Sequence, residues 1–208
     1  VYHSIMRRKK GRHAGTESRR KDIINAALSC FSEIGFSETS MEDIRRRSGA
    51  STGSIYHHFR SKEQLAAEVY IEGIRNYQEA LIQALKGCEG AREGIGALVS
   101  SHLQWVRENI ELSRYLFQKR HSVFMASAEE EIAAMNRSFG QSLSHFFAGH
   151  IKGGVLKPLP SDIIISLIFG PCMELTRQYF SGHSGTPLDK AAGILSEAVW
   201  RALSTDRG

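Results

Sequence analysis

Apolar residues recur at intervals of three or four positions through most of this chain of 208 residues, and this spacing limits the possible folds more than any other feature. Between Thr16 and Ile34, for example, Ile24, Leu28 and Phe31 fall on one side of a helix. A strand would need a strongly alternating run rich in valine or threonine, and the sequence has none. The sequence therefore predicts an all-α protein.

Capping signals divide this pattern into about nine helices. Gly35 is suited to the left-handed conformation that ends a helix, and "SMED" at 40–43 resembles a capping box that begins a second, short helix ending near Gly49. Ser51 can cap a third helix, and Ser61 can cap a fourth with Gln64 reaching back. The remaining predicted bounds are a fourth helix up to Gly87, helices at about 91–109, 111–121, 127–152 and 161–181, and a last helix with Thr186 as cap and Pro187 in first position.

The positive charge is concentrated at the N-terminal end of the chain. Residues 1–62 hold 13 Lys and Arg against 6 Asp and Glu, whereas residues 63–208 hold 14 against 16. This asymmetry indicates a polyanionic partner for the N-terminal end, either nucleic acid or an anionic membrane surface. The alternative is a solvated basic tail, "RRKKGR" at residues 7–12, that has no partner.

Other function classes find little support in the sequence. No apolar stretch approaches the roughly 18 residues that cross a bilayer, so no membrane-spanning segment is expected. Cys30, Cys88 and Cys172 lie far apart without a metal-type spacing, which suits the reducing cytoplasm, near the nucleoid if the partner is DNA. An all-helical enzyme is an alternative that no phosphate loop or nucleophile motif supports, and we expect no catalytic residue, metal or cofactor.

The third helix, "TGSIYHHF", can be projected at about 100° per residue. Ile55 and Phe59 then lie about 40° apart and define the buried side, whereas His57 points away from it and His58 falls near its margin. A metal site at the two histidines is the alternative, but adjacent helical positions diverge by about 100°. The projection favours a surface that enters a groove.

Two short helices around the Gly-containing turn "RRRSGAST" meet the requirements of a helix-turn-helix. On the outward side of its second helix, Gly53 permits close backbone approach, and the Tyr56 hydroxyl can bond a phosphate oxygen. Lys62 begins the next helix at a ready anion site, and at least one arginine such as Arg45 should reach the DNA backbone. The alternatives are that Tyr56 only lines the core and that the arginines form a solvated face.

The segments "AALSCFSEIGF" at 26–36 and "TSMEDIRRRSGASTGSIYHHFRSKEQL" at 39–65 resemble the DNA-binding domain of TetR/AcrR-type transcriptional regulators, over about residues 17–77. Two positions depart from the family pattern. Many relatives have Ala where Arg46 stands, and Ala or Val where Ser48 stands. The resemblance implies that Ser40, Tyr56 and Lys62 contact phosphates. The residues that it implies read the major groove are Thr52, Gly53, Ser54 and His57.

The resemblance further implies a homodimeric repressor that binds a roughly palindromic double-stranded DNA operator and is released by a small-molecule effector. The alternative is a TetR-like DNA-binding protein without an inducer, whose helical domain binds a protein partner. The implied organisation is a disordered basic arm at 1–15, a DNA-binding domain at 16–77 with its helix-turn-helix at 40–59, and a helical ligand-binding and dimerisation domain at 78–208.

The C-terminal bundle has candidate residues for both an effector pocket and a dimer face. Pro171 should kink or break the helix over 161–181. The last helices are apolar on more than one side, so they lie deep in the bundle or meet a second copy; the interface candidates are Ile164, Ile168, Leu195, Val199 and Trp200. Each pocket candidate is also a candidate core residue; they are His102, Trp105, Phe117, Phe124, Met135, Phe139, Phe169, Met173 and Glu174, where His102 and Glu174 could orient a polar ligand group.

Overall fold

The protein is described by a computed structural model over residues 2–119 and 122–205, with side chains from residue 15 onward except at 119, 123 and 124. This part of the chain is all-α, as predicted, with nine α-helices and one 3₁₀ helix. The helices are α1 (Tyr2–Glu33), α2 (Met41–Ser48), α3 (Thr52–His58), α4 (Lys62–Leu85), α5 (Ala91–Glu108), α6 (Ile110–Lys119), the 3₁₀ helix (Val123–Ala128), α7 (Glu129–Lys152), α8 (Ser161–Phe180) and α9 (Leu188–Leu203).

These helices form two compact units, residues 1–72 with 118–128 and residues 73–117 with 129–208. The division falls within α4, between Glu72 and Gly73, whereas the sequence set the domain boundary after residue 77. Residues 118–128 group with the first unit, although their place in the chain assigned them to the second domain. The order of residues along the chain does not indicate that a segment from the second half groups with the first unit.

Local hydrogen bonds form the short helices of the first unit as the sequence predicted. The Ser40 hydroxyl accepts from the Asp43 N–H at 3.1 Å, and the Asp43 carboxylate accepts from the Ser40 N–H at 3.0 Å, which completes the capping box of α2. Gly49 ends α2 in the left-handed conformation with φ 64°. The Ser51 hydroxyl caps α3 by accepting from the Ser54 N–H at 3.2 Å. The signals for the helix-turn-helix are therefore contained in this short segment.

The start of α4 differs in detail from the predicted capping box. The Ser61 hydroxyl accepts from the Gln64 N–H at 3.1 Å, as expected. The Gln64 side chain, however, accepts from the Arg60 N–H at 2.8 Å instead of reaching the N–H of Ser61. The two bonds still satisfy two backbone N–H groups at this end of the helix.

Other helix bounds also differ from the predictions. The first helix begins at Tyr2 rather than near Thr16, so the prediction of a disordered arm at 1–15 is wrong from residue 2 onward. The side chains before residue 15 lie outside the described part. Helix α9 begins at Leu188 with Pro187 as its cap, so Thr186 does not cap it. Pro171 lies inside α8 without breaking it. Within the described residues, no helix combines the length and apolar character needed to cross a membrane.

The core of the second unit is built around α5, which packs against α8 and α9. Its fully buried side chains include Leu98, Leu143, Phe147 and Ile168. Gly94 of α5 lies so close to Phe146 that an added β-carbon would fall 2.4 Å from the ring. These contacts hold α5 in the interior of its unit.

Candidate nucleic-acid interface

Helix α3 divides into a buried side and an exposed side as its projection predicted. Ile55 and Phe59 are 0% and 1% exposed, so they anchor the helix in the first unit. Tyr56 is 52% exposed, His57 is exposed, and His58 is half-buried at the margin. An aromatic residue with this much exposed surface in a short, well-anchored helix is available to a partner.

The exposed side of α3 offers hydrogen-bonding groups on a backbone that can be approached closely. Thr52 and Gly53 are exposed, and Ser54 is half-buried. A β-carbon added at Gly53 would meet nothing within 4 Å, so its lack of a side chain is not explained by packing. Together with Tyr56 and His57, these residues present hydroxyl, imidazole and backbone groups that suit base edges and phosphate oxygens.

The adjacent histidines have different surroundings. Their ring centroids are 5.3 Å apart, with the planes at 70°. Burial, with the nearby charges of His57 and Arg20, lowers the pKa of His58. Among the side chains that the structure describes, no group of three His, Cys, Asp or Glu is arranged to hold a metal ion. His58 therefore supports the unit, whereas His57 lies on its surface.

The predicted phosphate contacts on α2 already have intramolecular partners. The Ser40 hydroxyl donates to the Asp43 carboxylate at 2.5 Å, and hydrogen bonds from Ser40 lower the pKa of Asp43 to about 2. Arg45 forms two bonds of 2.7 Å to Glu42 and one of 3.3 Å to the Ala50 carbonyl. Ser40 is exposed, but its single O–H is already donated to Asp43, so it would have to exchange that partner for a phosphate oxygen. Arg45 would have to share or exchange its carboxylate partner.

Lys62 is bonded to the loop between α1 and α2. Its ammonium donates to the carbonyl oxygens of Phe36 and Ser37 at 2.7 and 3.1 Å, and lies 4.6 Å from the centroid of the Phe36 ring. A lysine ammonium has three N–H donors, so these two bonds leave one for a phosphate oxygen. The sequence predicted the phosphate contact but missed the attachment, which joins residues 26 positions apart.

In the second unit, His102 is bonded on both ring nitrogens. It is 2% exposed; Nδ1 lies 2.7 Å from the Tyr77 hydroxyl and Nε2 lies 3.1 Å from Thr176 Oγ1. Because Thr176 donates its proton to the Cys172 carbonyl at 2.8 Å, it accepts from Nε2–H, which leaves Nδ1 to accept from Tyr77. Burial lowers the pKa of His102 to about 4, consistent with this neutral tautomer.

Aromatic rings surround this polar network. The Tyr77 ring contacts those of His102 and Trp105, with centroids 5.6 and 5.1 Å apart. Phe169 lies 6.2 Å from both His102 and Phe139. Four predicted pocket residues are thus brought together, and Tyr77, which was not among the pocket candidates, lies between two of them.

The other pocket candidates are placed differently. The Phe117 ring lies 5.8 Å from Phe180, and Met135 and Met173 are half-buried. Glu174 is exposed and bonds Arg177 and Gln178, which lower its pKa to about 2, so its predicted role in orienting a ligand is not supported. The Phe124 side chain lies outside the described residues.

Most residues of the predicted dimer face lie in the core of their own unit. Ile164, Ile168 and Val199 are at most 3% exposed, Trp200 is 9% exposed, and all four belong to the core of their own unit. Leu195 is half-buried against that core. The exposed residues of α8 and α9 include Ile163, at 44%, and Ile194, at 65%. Adjacent helical positions diverge by about 100°, and these helices carry apolar residues on two sides. The prediction therefore selected the side that faces the core of the unit.

Comparisons with known proteins agree with this architecture. The family model described as "Bacterial regulatory proteins, tetR family" matches residues 23–69. The model described as "Tetracyclin repressor-like, C-terminal domain" matches residues 70–205. The chain belongs to the TetR family. As a TetR-family member, it is a DNA-binding transcriptional regulator with an N-terminal helix-turn-helix and a C-terminal helical domain.

Relatives of this TetR-family chain span most of its length. The HTH-type transcriptional regulator YhgD of Bacillus subtilis (strain 168) is 24% identical over 190 residues, 90% of this chain and 98% of the relative. The HTH-type transcriptional regulator RutR of Escherichia coli O157:H7 is 29% identical over 164 residues, 76% of this chain and 74% of the relative. A TetR family transcription regulator from Marinobacter aquaeolei VT8 has the same fold, with a TM-score of 0.75 at 24% identity over 92% of this chain and 98% of that one.

Proposed function

We propose that this TetR-family protein is a homodimeric repressor that binds a roughly palindromic operator and is released by a small-molecule effector. It acts in the cytoplasm, at the nucleoid. The observation that carries the proposal is the exposed side of α3, where Tyr56 and His57 project from a helix anchored by Ile55 and Phe59. A well-anchored helix with hydrogen-bonding groups on its outer side fits the major groove.

The proposed contacts follow the exposure of each side chain. Thr52, Ser54 and His57 bond base edges, and the backbone at Gly53 approaches them closely. Tyr56 donates to a phosphate oxygen. The remaining phosphate contacts come from the third N–H of Lys62, from the Ser40 hydroxyl after it exchanges Asp43 for a phosphate oxygen, and from Arg45 after partial exchange of its partner.

Selection of binding sequences from a random duplex library tests the DNA-binding part of the proposal. We expect an enriched sequence with two inverted half-sites about one helical turn apart, which matches a two-fold symmetric dimer. Tyr56→Phe and Lys62→Ala should weaken binding to the selected sequence by several-fold to tens-fold, because each removes a charge-assisted hydrogen bond. If no sequence is enriched over random duplex, the operator-binding repressor is refuted.

The cluster around His102 supports effector binding in the second unit. A neutral imidazole held between two hydroxyl groups and bordered by aromatic rings suits an uncharged or aromatic ligand that can exchange hydrogen bonds with it. A thermal-shift screen of a metabolite library should find compounds that stabilise the protein and release it from the selected duplex. A complete screen without such compounds would favour the alternative regulator whose helical domain binds a protein.

Dimerisation is proposed through the exposed side of α8 and α9. Ile163 and Ile194 are large apolar residues that the core of their own unit leaves uncovered. Replacing both with Glu should lower the dimer fraction in sedimentation velocity, because burying charge without a partner is costly. Ile110→Glu is the control, since Ile110 of the same unit is 39% exposed but lies on α6. Equal dimer fractions in the parent and the double variant would reject this face.

A further inference from the structure

The part of the DNA-binding unit from residue 15 onward has almost no net charge. Residues 15–72 hold eight Lys and Arg against nine Asp and Glu, a balance of −1. Residues 1–14 hold five basic residues and no acidic residue, a balance of +5 that equals the net charge of the whole chain. The positive charge that first indicated a polyanionic partner therefore lies before the helix-turn-helix, in the segment "RRKKGR" at 7–12.

The cations from residue 15 onward are mostly bonded to groups of the unit itself. Helix α2 contributes three arginines, and each has a carboxylate partner: Arg45 with Glu42, Arg46 with Asp43, and Arg47 with Glu33. The remaining bonded cations are Arg19 with Asp22, Arg20 with Glu68 and Glu72, and Lys62 with two loop carbonyls. Of these eight cations, only the exposed Lys21 and Arg60 have neither an ion pair nor a side-chain hydrogen bond among the described side chains.

The groups that face outward on α3 are hydroxyl, imidazole and backbone groups, and none of them belongs to a lysine or an arginine. Hydroxyl and imidazole groups can distinguish bases, but they release few of the counterions that surround a duplex. The salt-dependent part of DNA affinity comes from lysine and arginine that neutralise phosphates. The unit from residue 15 onward, with its own cations bonded internally, is a poor source of this free energy.

We infer that Arg7, Arg8, Lys9, Lys10 and Arg12 bind the phosphate backbone of DNA that flanks the operator. The inference rests on the proposed function, because it supplies the affinity for a duplex whose sequence α3 recognises. The basic segment lies within α1, a helix of the DNA-binding unit, so it is held at high effective concentration near any duplex that the unit binds. Its contacts are sequence-independent, since phosphates carry no base identity.

The test compares the full-length parent with a variant in which these five residues are replaced by Gln. The matched control replaces five exposed cations of the second unit by Gln, so that the total charge changes equally; they are Lys86, Arg107, Arg137, Lys152 and Lys190. Fluorescence anisotropy gives the affinity for the selected duplex and for a random duplex at about 0.05–0.3 M potassium chloride. Thermal unfolding confirms that both variants remain folded.

The variant with Gln at the five basic positions of residues 7–12, here called the arm variant, should lose affinity for both duplexes, by about 100-fold or more at the lowest salt concentration. Its slope of log affinity against log salt should fall by up to about 4.5 per protomer, since each of the five phosphate contacts contributes about 0.9. The ratio of specific to random affinity and the slope of the control should stay near the parent values. If the arm variant keeps the salt slope of the parent, the inference is overturned. The same holds if, with that slope kept, only the arm variant loses binding to vesicles that contain phosphatidylglycerol, because the segment would then bind a membrane surface instead of DNA.

These outcomes separate the inference from the proposed function. If the parent prefers no duplex sequence, the proposed function fails, and the slope on random duplex still tests the arm. If the parent prefers its selected sequence but the arm variant keeps the same slope, the proposed function stands and the arm inference fails.

Discussion

The exposed side of α3 and the network around His102 use a similar set of residues in opposite ways. In the network, each nitrogen of His102 has a hydroxyl partner and burial lowers its pKa to about 4, so the side chain is fixed and neutral. On α3, His57 and Tyr56 are exposed, and their polar groups face outward. Surroundings, and not residue type, decide whether a histidine and a tyrosine hold a fold together or remain available to a partner.

The largest expected effect is the difference in unfolding free energy between substitutions on the buried side and on the exposed side of α3. Phe59→Ala should lower the free energy of unfolding of the first unit by about 3–5 kcal/mol, because it leaves a cavity where a fully buried ring stood. Tyr56→Phe, only three positions away, should change it by less than about 0.5 kcal/mol while weakening DNA binding. Urea unfolding followed by circular dichroism measures both. Similar losses for the two variants would mean that α3 has no free side.

The next effect is the contribution of the buried His102 to the pH dependence of the unfolding free energy. Because the pKa of His102 is about 4 in the folded protein against an ordinary 6.5, the unfolded chain takes up a proton first as pH falls. This contribution to stability is therefore complete above pH 6.5 and is lost between 6.5 and 4, by about 3 kcal/mol. His102→Gln should flatten the dependence of unfolding free energy on pH in that window.

The His102 comparison has a clear negative result. If His102→Gln and the parent lose the same unfolding free energy between pH 6.5 and 4, another group carries the pH dependence and the neutral buried tautomer is wrong.

The smallest effect compares two glycines of the helix-turn-helix that both have open space for a β-carbon. Gly49 has φ 64°, so Gly49→Ala should lower the unfolding free energy by about 1 kcal/mol through backbone strain alone. Gly53 lies inside α3 without a positive φ, so Gly53→Ala should leave stability unchanged or raise it by about 0.5–1 kcal/mol. Its DNA affinity should fall about tenfold if the backbone approaches base edges. Unchanged affinity in Gly53→Ala would place the reading surface elsewhere on α3.

The sequence by itself determined the features that depend on neighbours within about one helical turn. The capping box of Ser40 and Asp43, the left-handed turn at Gly49 and the inner side of α3 all follow from residues at most four positions apart. Such interactions use fixed helical geometry, so spacing is enough to predict them.

Only the tertiary structure decided which distant residues meet. Lys62 is attached to a loop 26 positions away, and His102 to Thr176, 74 positions away. It also turned Ile164 and Ile168 inward and left Ile163 and Ile194 exposed on helices that are apolar on more than one side. The physical reason is that periodicity fixes the angle between side chains on one helix but gives no information on which of two apolar sides another segment will cover.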